Sequence, residues 1–395
     1  EGNKINYLTT IETGATIEID SYKHHHMYGF NLENDDTHEP LDGTFTYHSN
    51  NENVATVVNG VIKAGTHTGT AIITITHDSG ITSEISVTVT QAGRTATPMV
   101  AGGSEFAVAL LDNGEVWTWG SNEKGQLGNG LTENTTYPVQ VSLPEGVKAK
   151  YVAAGINIAY AVTTDGYVYA WGGNEHGQLG IGYAGEDVIY PTRVLKGDSA
   201  SDREYLSNII AIEAGNAYSL ALRNDGTVFA WGEVSNGKLG TVISSDVYTP
   251  AQVWKGESDT DTWYLENVIK ISAGSEHSAV INNRNEVYTW GKNTNGQLGN
   301  GTTNNSTTPV RVRNQWMDGS DQLAIEISAG GEHTVVVTKS GTVYAWGLDA
   351  EGQVGLGALV SGADKQTSYL VPQQIASGDS TSTDDLYFRD ALTVS

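Results

Sequence analysis

The phrase "EVYTWGKNTNGQLGNG" occupies residues 286–301, and nearly the same phrase occurs four more times in this chain. The other copies are "EVWTWGSNEKGQLGNG" (115–130), "YVYAWGGNEHGQLGIG" (167–182), "TVFAWGEVSNGKLGTV" (227–242) and "TVYAWGLDAEGQVGLG" (342–357). A phrase repeated every 52–60 residues means one structural unit used again and again. Each Trp, at 119, 171, 231, 290 and 346, stands 16 residues after a glycine preceded by a small residue: Gly103, Gly155, Gly215, Gly274 and Gly330. The fixed 16 against a variable period places all length variation after G-Q-L-G, so that segment is a loop.

Each unit reads as a hairpin followed by further strand. "HSAVINNRNEVYTWG" contains two alternating runs joined by a polar turn. In the second run, Val116, Val168, Val228, Val287 and Val343 point to one face. The aromatics at 117, 169, 229, 288 and 344, and the tryptophans two residues later, point to the other. Both faces are apolar, so each small sheet must be covered on both sides by its neighbours. Trp119, Trp171, Trp231, Trp290 and Trp346 are expected to fill the widening gap between radial sheets. Four strands per unit in five units predict a β-propeller.

The small-Gly pairs, "DGYVYAWG" (165–172), "NEHGQLGIG" (174–182) and the later Pro138-x-x-Val141 and Pro309-x-x-Val312 resemble the regulator of chromosome condensation repeat family. The resemblance covers about residues 97–395. That family usually closes with seven blades, and five complete repeats are counted here. Inserts at 197–215 and 256–274 align with the terminal "GDSTSTDDLYFRDALTVS" (378–395), so the chain is expected to end on the first, orphan strand of a sixth unit. Three readings of that strand stay open: an excerpt of a longer protein, closure onto the first blade, or donation to another subunit. The ultraviolet-sensing members carry a Gly-Trp-Arg-His-Thr signature, which this sequence lacks.

Residues 1–92 lack the repeat. The stretch 45–91 alternates with period two between closely spaced turns, as a small sandwich should. Val54-Ala55-Thr56-Val57, Gly60-Val61-Ile62 and Gly69-Thr70-Ala71 resemble the group 2 bacterial immunoglobulin-like family. The expected organisation is an immunoglobulin-like β-sandwich over 1–92, a linker over 93–98, and the propeller over 99–395. By that resemblance, such sandwiches are extracellular spacers and adhesion modules, which implies a secreted or surface-displayed bacterial protein.

Composition narrows the chemistry. The 46 acidic against 21 basic residues give a formal charge of −25, and no cluster of Lys and Arg offers a nucleic-acid footprint. There is no cysteine, and no apolar run of membrane-spanning length. His277 and His333 share a slot with Phe106, Ile158 and Tyr218, which marks it as a packing position. Asp198, Asp202, Asp259 and Asp261 recur in the acidic inserts as candidate Ca²⁺ ligands in irregular loops, with no EF-hand spacing. Solvated turn caps are the competing reading of the same residues. No catalytic motif is present, so no enzyme activity is expected.

Tyr137, Tyr183, Tyr190, Tyr248, Trp254, Trp263 and Trp316 fall in the variable segments and are the candidate partner-binding residues, since exposed Tyr and Trp anchor interfaces. The resulting expectation is a non-catalytic scaffold that binds a protein or glycan at the cell surface through propeller loops. A structural subunit assembled through its terminal strand and an inhibitor of a secreted enzyme are the alternatives.

Overall fold

The computed structural model describes residues 6–12, 16–18, 44–65, 67–78, 80, 82–90, 95–197, 204–255, 264–313, 323–357, 367–376 and 391. The first seven strands are β1 (Asn6–Glu12), β2 (Thr16–Glu18), β3 (Phe45–Ser49), β4 (Ala55–Val58), β5 (Val61–Ala64), β6 (Gly69–His77) and β7 (Thr82–Thr90). They form a four-stranded sheet in the order β1-β7-β6-β3 and a three-stranded sheet in the order β2-β5-β4. β1 runs parallel to β7, and the other pairs are antiparallel. One core joins the two sheets, with Ala55, Ile62 and Ala64 from one and Ala71, Ile73, Ile75, Val87 and Val89 from the other. The alternation of β6, where Ala71, Ile73 and Ile75 point inward, is what a sheet with one wet face requires.

The remaining twenty strands form five four-stranded antiparallel sheets. Blade 1 comprises β8 (Met99–Gly102), β9 (Phe106–Leu110), β10 (Val116–Gly120) and β11 (Thr135–Gln140). Blade 2 comprises β12 (Ala149–Ala154), β13 (Ile158–Thr163), β14 (Val168–Gly172) and β15 (Val188–Arg193). Blade 3 comprises β16 (Ile209–Ala214), β17 (Tyr218–Arg223), β18 (Val228–Gly232) and β19 (Val247–Gln252). Blade 4 comprises β20 (Val268–Ala273), β21 (His277–Asn282), β22 (Val287–Gly291) and β23 (Ser306–Arg311). Blade 5 comprises β24 (Ala324–Ala329), β25 (His333–Thr338), β26 (Val343–Leu348) and β27 (Ser368–Gln374).

The first strand of each blade lies beside the first strand of the next, so these five strands are innermost. The fourth strands lie outermost. Each carries a proline, an acceptable residue where an edge strand needs no further N–H donor. Cores form between blades as the alternation requires. Val108, Leu110 and Val116 of blade 1 pack with Val152, Ala159, Ala161, Tyr169 and Trp171 of blade 2. The next two junctions share one continuous core that runs to Trp290, and Trp346 seals blade 5 onto blade 4.

After blade 5, the Ala391 N–H donates to the Gly341 carbonyl at 3.1 Å. The Ile209 N–H makes the same bond to Gly166, and the Val268 N–H to Gly226, where each next blade begins. Residue 391 therefore occupies the start of a further inner strand; residues 392–395 lie outside the described residues.

Candidate binding surface around the axis

Each blade meets the next through a staple built from the G-Q-L-G turn. The Trp171 indole N–H donates to the Gln126 carbonyl at 2.9 Å, and Trp231 to Gln178 at 2.7 Å. Trp290 donates to the Lys238 carbonyl at 2.8 Å, and Trp346 to Gln297 at 2.9 Å. In the last three junctions a hydroxyl joins the same acceptor, Ser219 at 3.3 Å, Ser278 at 2.8 Å and Thr334 at 2.9 Å. A glycine must follow Leu in the turn. Gly180 has φ +68°, and a Cβ there would stand 2.8 Å from the Trp231 Nε1. The turn is clamped from within, since the Asn122 and Asn293 side chains accept from the Leu127 and Leu298 N–H groups.

Trp171, Trp231, Trp290 and Trp346 are fully buried, whereas Trp119 is half-buried because among the described residues no earlier blade covers it. The third copy of the phrase departs from the rest. Val234 replaces the clamping Asn and Lys238 the Gln, and the fully buried Lys238 ammonium is bound by Glu233 and, at 3.0 Å, by Glu276 of blade 4. An ionic cluster thus does at this junction what an Asn and Gln pair does in blades 1, 2 and 4. The Lys for Gln exchange was visible in the sequence, but its two acidic partners were not.

Because the strands alternate in direction, the turns after the first strands and the loops after the third strands lie at one end of the array. There the five small-Gly turns surround a cavity of about 230 Å³, lined by Gly103, Gly155, Gly215, Gly274 and Gly330 and their neighbours. Ile156 is exposed at its mouth. Leu131, Tyr183, Val242 and Ile243 lie exposed on the loops of blades 1, 2 and 3 at this same end. Blades 4 and 5 instead present Glu276, with Asn236 at 3.1 Å, and Glu332, with Asn295 at 2.8 Å and Lys292 bound to it. Exposed apolar side chains thus gather on the loops of blades 1, 2 and 3, among charged neighbours such as Glu123, Lys124, Glu133, Glu175 and Glu186. At the opposite end, the Lys339 ammonium meets Glu84 of β7 at 3.2 Å, so the N-terminal sheets leave the cavity end clear.

Near the axis, two polar pairs bridge inner strands. The Tyr151 hydroxyl donates to Glu213 at 2.9 Å and the Lys270 ammonium to Glu326 at 2.6 Å. Burial pushes the Glu213 carboxyl up to about 7, with the Tyr151 hydrogen bond opposing. His277 is fully enclosed, with its Nε2 2.8 Å from the Thr334 hydroxyl. Burial, with His333 nearby, pushes its imidazole down to about 3. A neutral, enclosed imidazole fills space and exchanges no proton with a ligand.

The sequence-selected aromatics are dispersed. Tyr137, Tyr190 and Tyr248 sit on the outermost strands β11, β15 and β19, not in loops as expected, because each belongs to the extended run leading to its proline. Tyr248 and Tyr190 also pack over Gly177 and Gly130 of the preceding blade. Tyr183 lies in a loop at the cavity end. Trp254 is half-buried and packs edge-on against Tyr264 at 6.1 Å. Trp263, Trp316 and the acidic residues Asp198, Asp202, Asp259 and Asp261 lie outside the described residues. Among the described residues no group of three or more His, Asp or Glu side chains could hold a metal ion, and no helix is long and apolar enough to cross a membrane.

Radial four-stranded sheets, stapled by Trp to a neighbouring turn around an axial cavity, define a β-propeller. The chain belongs to the RCC1-like domain family, whose model matches residues 74–386. It is 32% identical to the ultraviolet-B receptor UVR8 of Arabidopsis thaliana over 66% of this chain and 55% of that protein. It is 34% identical to the human E3 ubiquitin-protein ligase HERC2 over 65% of this chain and 5% of that one. The chain thus spans about half, or far less, of the length of these relatives. Among solved structures, it resembles yeast RCC1 (Prp20), seen bound to Kap60, with TM-score 0.57 and 25% identity over 70% of this chain and 63% of that one. Human WBSCR16 shares the fold with TM-score 0.59 and 21% identity, over 71% and 67% of the two chains.

Proposed function

We propose that this chain is a non-catalytic scaffold that docks a partner protein on the cavity end of its propeller, as part of a secreted or surface-displayed bacterial protein. The observation that carries this reading is the exposure of Leu131, Ile156, Tyr183, Val242 and Ile243 at that one end. Apolar anchors among polar neighbours are what a protein interface uses. Yeast RCC1, a similar protein, is seen bound to another protein, Kap60, which is in keeping with this reading. The bacterial, extracellular part of the proposal rests on the resemblance of residues 1–92 to immunoglobulin-like modules, and two sheets sharing one core are consistent with it. The Ala391 N–H bond to Gly341 fixes only where a further inner strand begins, so assembly through that strand stays the alternative reading.

The test compares binding of candidate surface proteins and glycans by the parent chain and by Ile156→Ser, Tyr183→Ala and Ile243→Ser variants. Affinity for the partner should fall at least about tenfold, as for an interface anchor, with unchanged melting. Binding that survives all three substitutions, or that is lost only on changing Tyr137, Tyr190 or Tyr248, would sink the proposed face.

A further inference from the structure

The exposed apolar side chains of the cavity end carry a repeating charge pattern. On the loops of blades 1, 2 and 3, Leu131 is followed by Glu133, Tyr183 by Glu186 and Ile243 by Asp246. Two of these loops add an exposed Glu directly after the clamping Asn, at Glu123 and Glu175. Each loop lies in a completed junction. The Gly130 N–H of blade 1 donates to Ile189 of blade 2, and the Gly182 N–H of blade 2 to Tyr248 of blade 3. Asn236 of the blade 3 loop reaches Glu276 of blade 4 at 3.1 Å. The following blade is in place at all three loops, so their exposure belongs to a finished surface.

The lysines of these turns and loops are already taken. The Lys124 ammonium binds Asp187 of the next blade at 3.2 Å, Lys238 binds Glu233 and Glu276, and Lys292 binds Glu332. The His176 Nδ1 faces Asp246 at 2.9 Å. Glu123, Glu133, Glu175 and Glu186 are all exposed, and among the described residues no cation pairs with them. Carboxylates left without counter-charges beside apolar side chains draw in cations and repel anions, most strongly where several lie together. A nucleic acid or an anionic membrane, whose phosphates would meet the same groups, is turned away from this end.

We infer, resting on the docking face proposed above, that the partner of this end is cationic: a protein segment that mixes Lys or Arg with apolar side chains. Its apolar side chains seat around Ile156 and the loop residues beside it, and its cations meet the four free glutamates. Charge complementarity names the occupant, because an apolar patch alone would accept any greasy surface, whereas this one is ringed by negative charge with no free lysine. The carboxylates steer the partner in and reject acidic competitors, while the apolar contacts hold it. Association should therefore be fast at low salt and selective for basic surfaces.

The test uses the full chain and a labelled peptide of about twelve residues that alternates Lys or Arg with Leu or Trp, read by fluorescence anisotropy. The peptide should bind, and its counterpart with Glu at every cation should not. Raising salt from about 0.1 M to about 1 M shortens the screening length from about 10 Å to about 3 Å and should weaken binding more than about tenfold. A Glu133→Gln/Glu175→Gln/Glu186→Gln variant should weaken it about tenfold at low salt, the worth of about three exposed ion pairs. Glu52→Gln/Glu145→Gln/Glu266→Gln removes the same charge from exposed positions elsewhere and should change affinity less than about twofold. Equal losses in the two triple variants, indifference to salt, or no binding of the cationic peptide would each overturn the cationic partner. That failure leaves the docking face itself to the Ile156→Ser and Ile243→Ser variants. Peptide binding that needs the glutamates yet ignores those two substitutions would instead keep the cationic partner and overturn the apolar docking face.

Discussion

Lowering the pH from about 7.5 to about 5 sets two buried groups of this propeller against each other. Glu213 has its folded pKa raised to about 7 from an ordinary 4.5, so it holds its proton in the folded chain more tightly than in the unfolded one. Its contribution to stability is full below the unfolded value and disappears as pH rises through 7. His277 is lowered from 6.5 to about 3, so it stays neutral when folded while the unfolded chain takes up a proton. That stability is present above 6.5 and is lost as pH falls towards 3. At about 1.4 kcal/mol per unit, acidification to pH 5 gains on the order of 2 kcal/mol from Glu213 and loses on the order of 2 kcal/mol from His277. The two contributions oppose each other.

His277→Phe, which installs the residue found in blade 1, should unmask Glu213 and make the chain more stable at pH 5 than at 7.5, relative to the parent. Glu213→Gln should do the reverse. His333, also lowered by burial, adds to the histidine side in every variant and so cancels from the comparison. Urea midpoints read by tryptophan fluorescence at three pH values provide the measurement. Equal pH slopes in the parent and both variants would refute the assigned protonation states.

Two further outcomes follow from the staples. Trp171→Phe strands the Gln126 carbonyl, whose blade 2 neighbour is Ala159, whereas after Trp231→Phe the Gln178 carbonyl keeps Tyr160 and Ser219 as donors. The first should therefore cost about 1–3 kcal/mol more than the ring change alone and the second close to none, read as a difference in chemical denaturation. Lys238→Met, which leaves Glu233 and Glu276 without their cation, should destabilise by about 3–5 kcal/mol. A Val234→Asn/Lys238→Gln double variant, restoring the amide clamp of the other blades, should recover part of that loss in thermal melts.

Much of the architecture was legible because the repeat fixes register. Once Val116 and Trp117 are assigned to opposite faces, every copy follows, and the glycines spaced 16 residues before each Trp locate the inner turns around the axis. The alternation at Ala71, Ile73 and Ile75 likewise marked β6 as a strand with one wet face. What escaped was anything that depends on contact between copies. The acceptor of each indole N–H is a backbone carbonyl, which has no sequence signature. Tyr137, Tyr190 and Tyr248 looked like loop residues because hydrophobic spacing cannot distinguish an outermost strand, wet on its edge, from a connecting segment. The face around the cavity was missed for a similar reason. Leu131, Ile156 and Ile243 come from three blades, and only the radial arrangement brings them to one end.

A carbonyl oxygen as the tryptophan's anchor also explains how tolerant the junction is. Since the main chain supplies the acceptor, the side chain at that position is free to differ, and it is Gln in four copies and Lys in one. Neighbouring units can therefore diverge in charge and outward chemistry without loosening their grip on each other. Such a scaffold can acquire new surfaces one blade at a time.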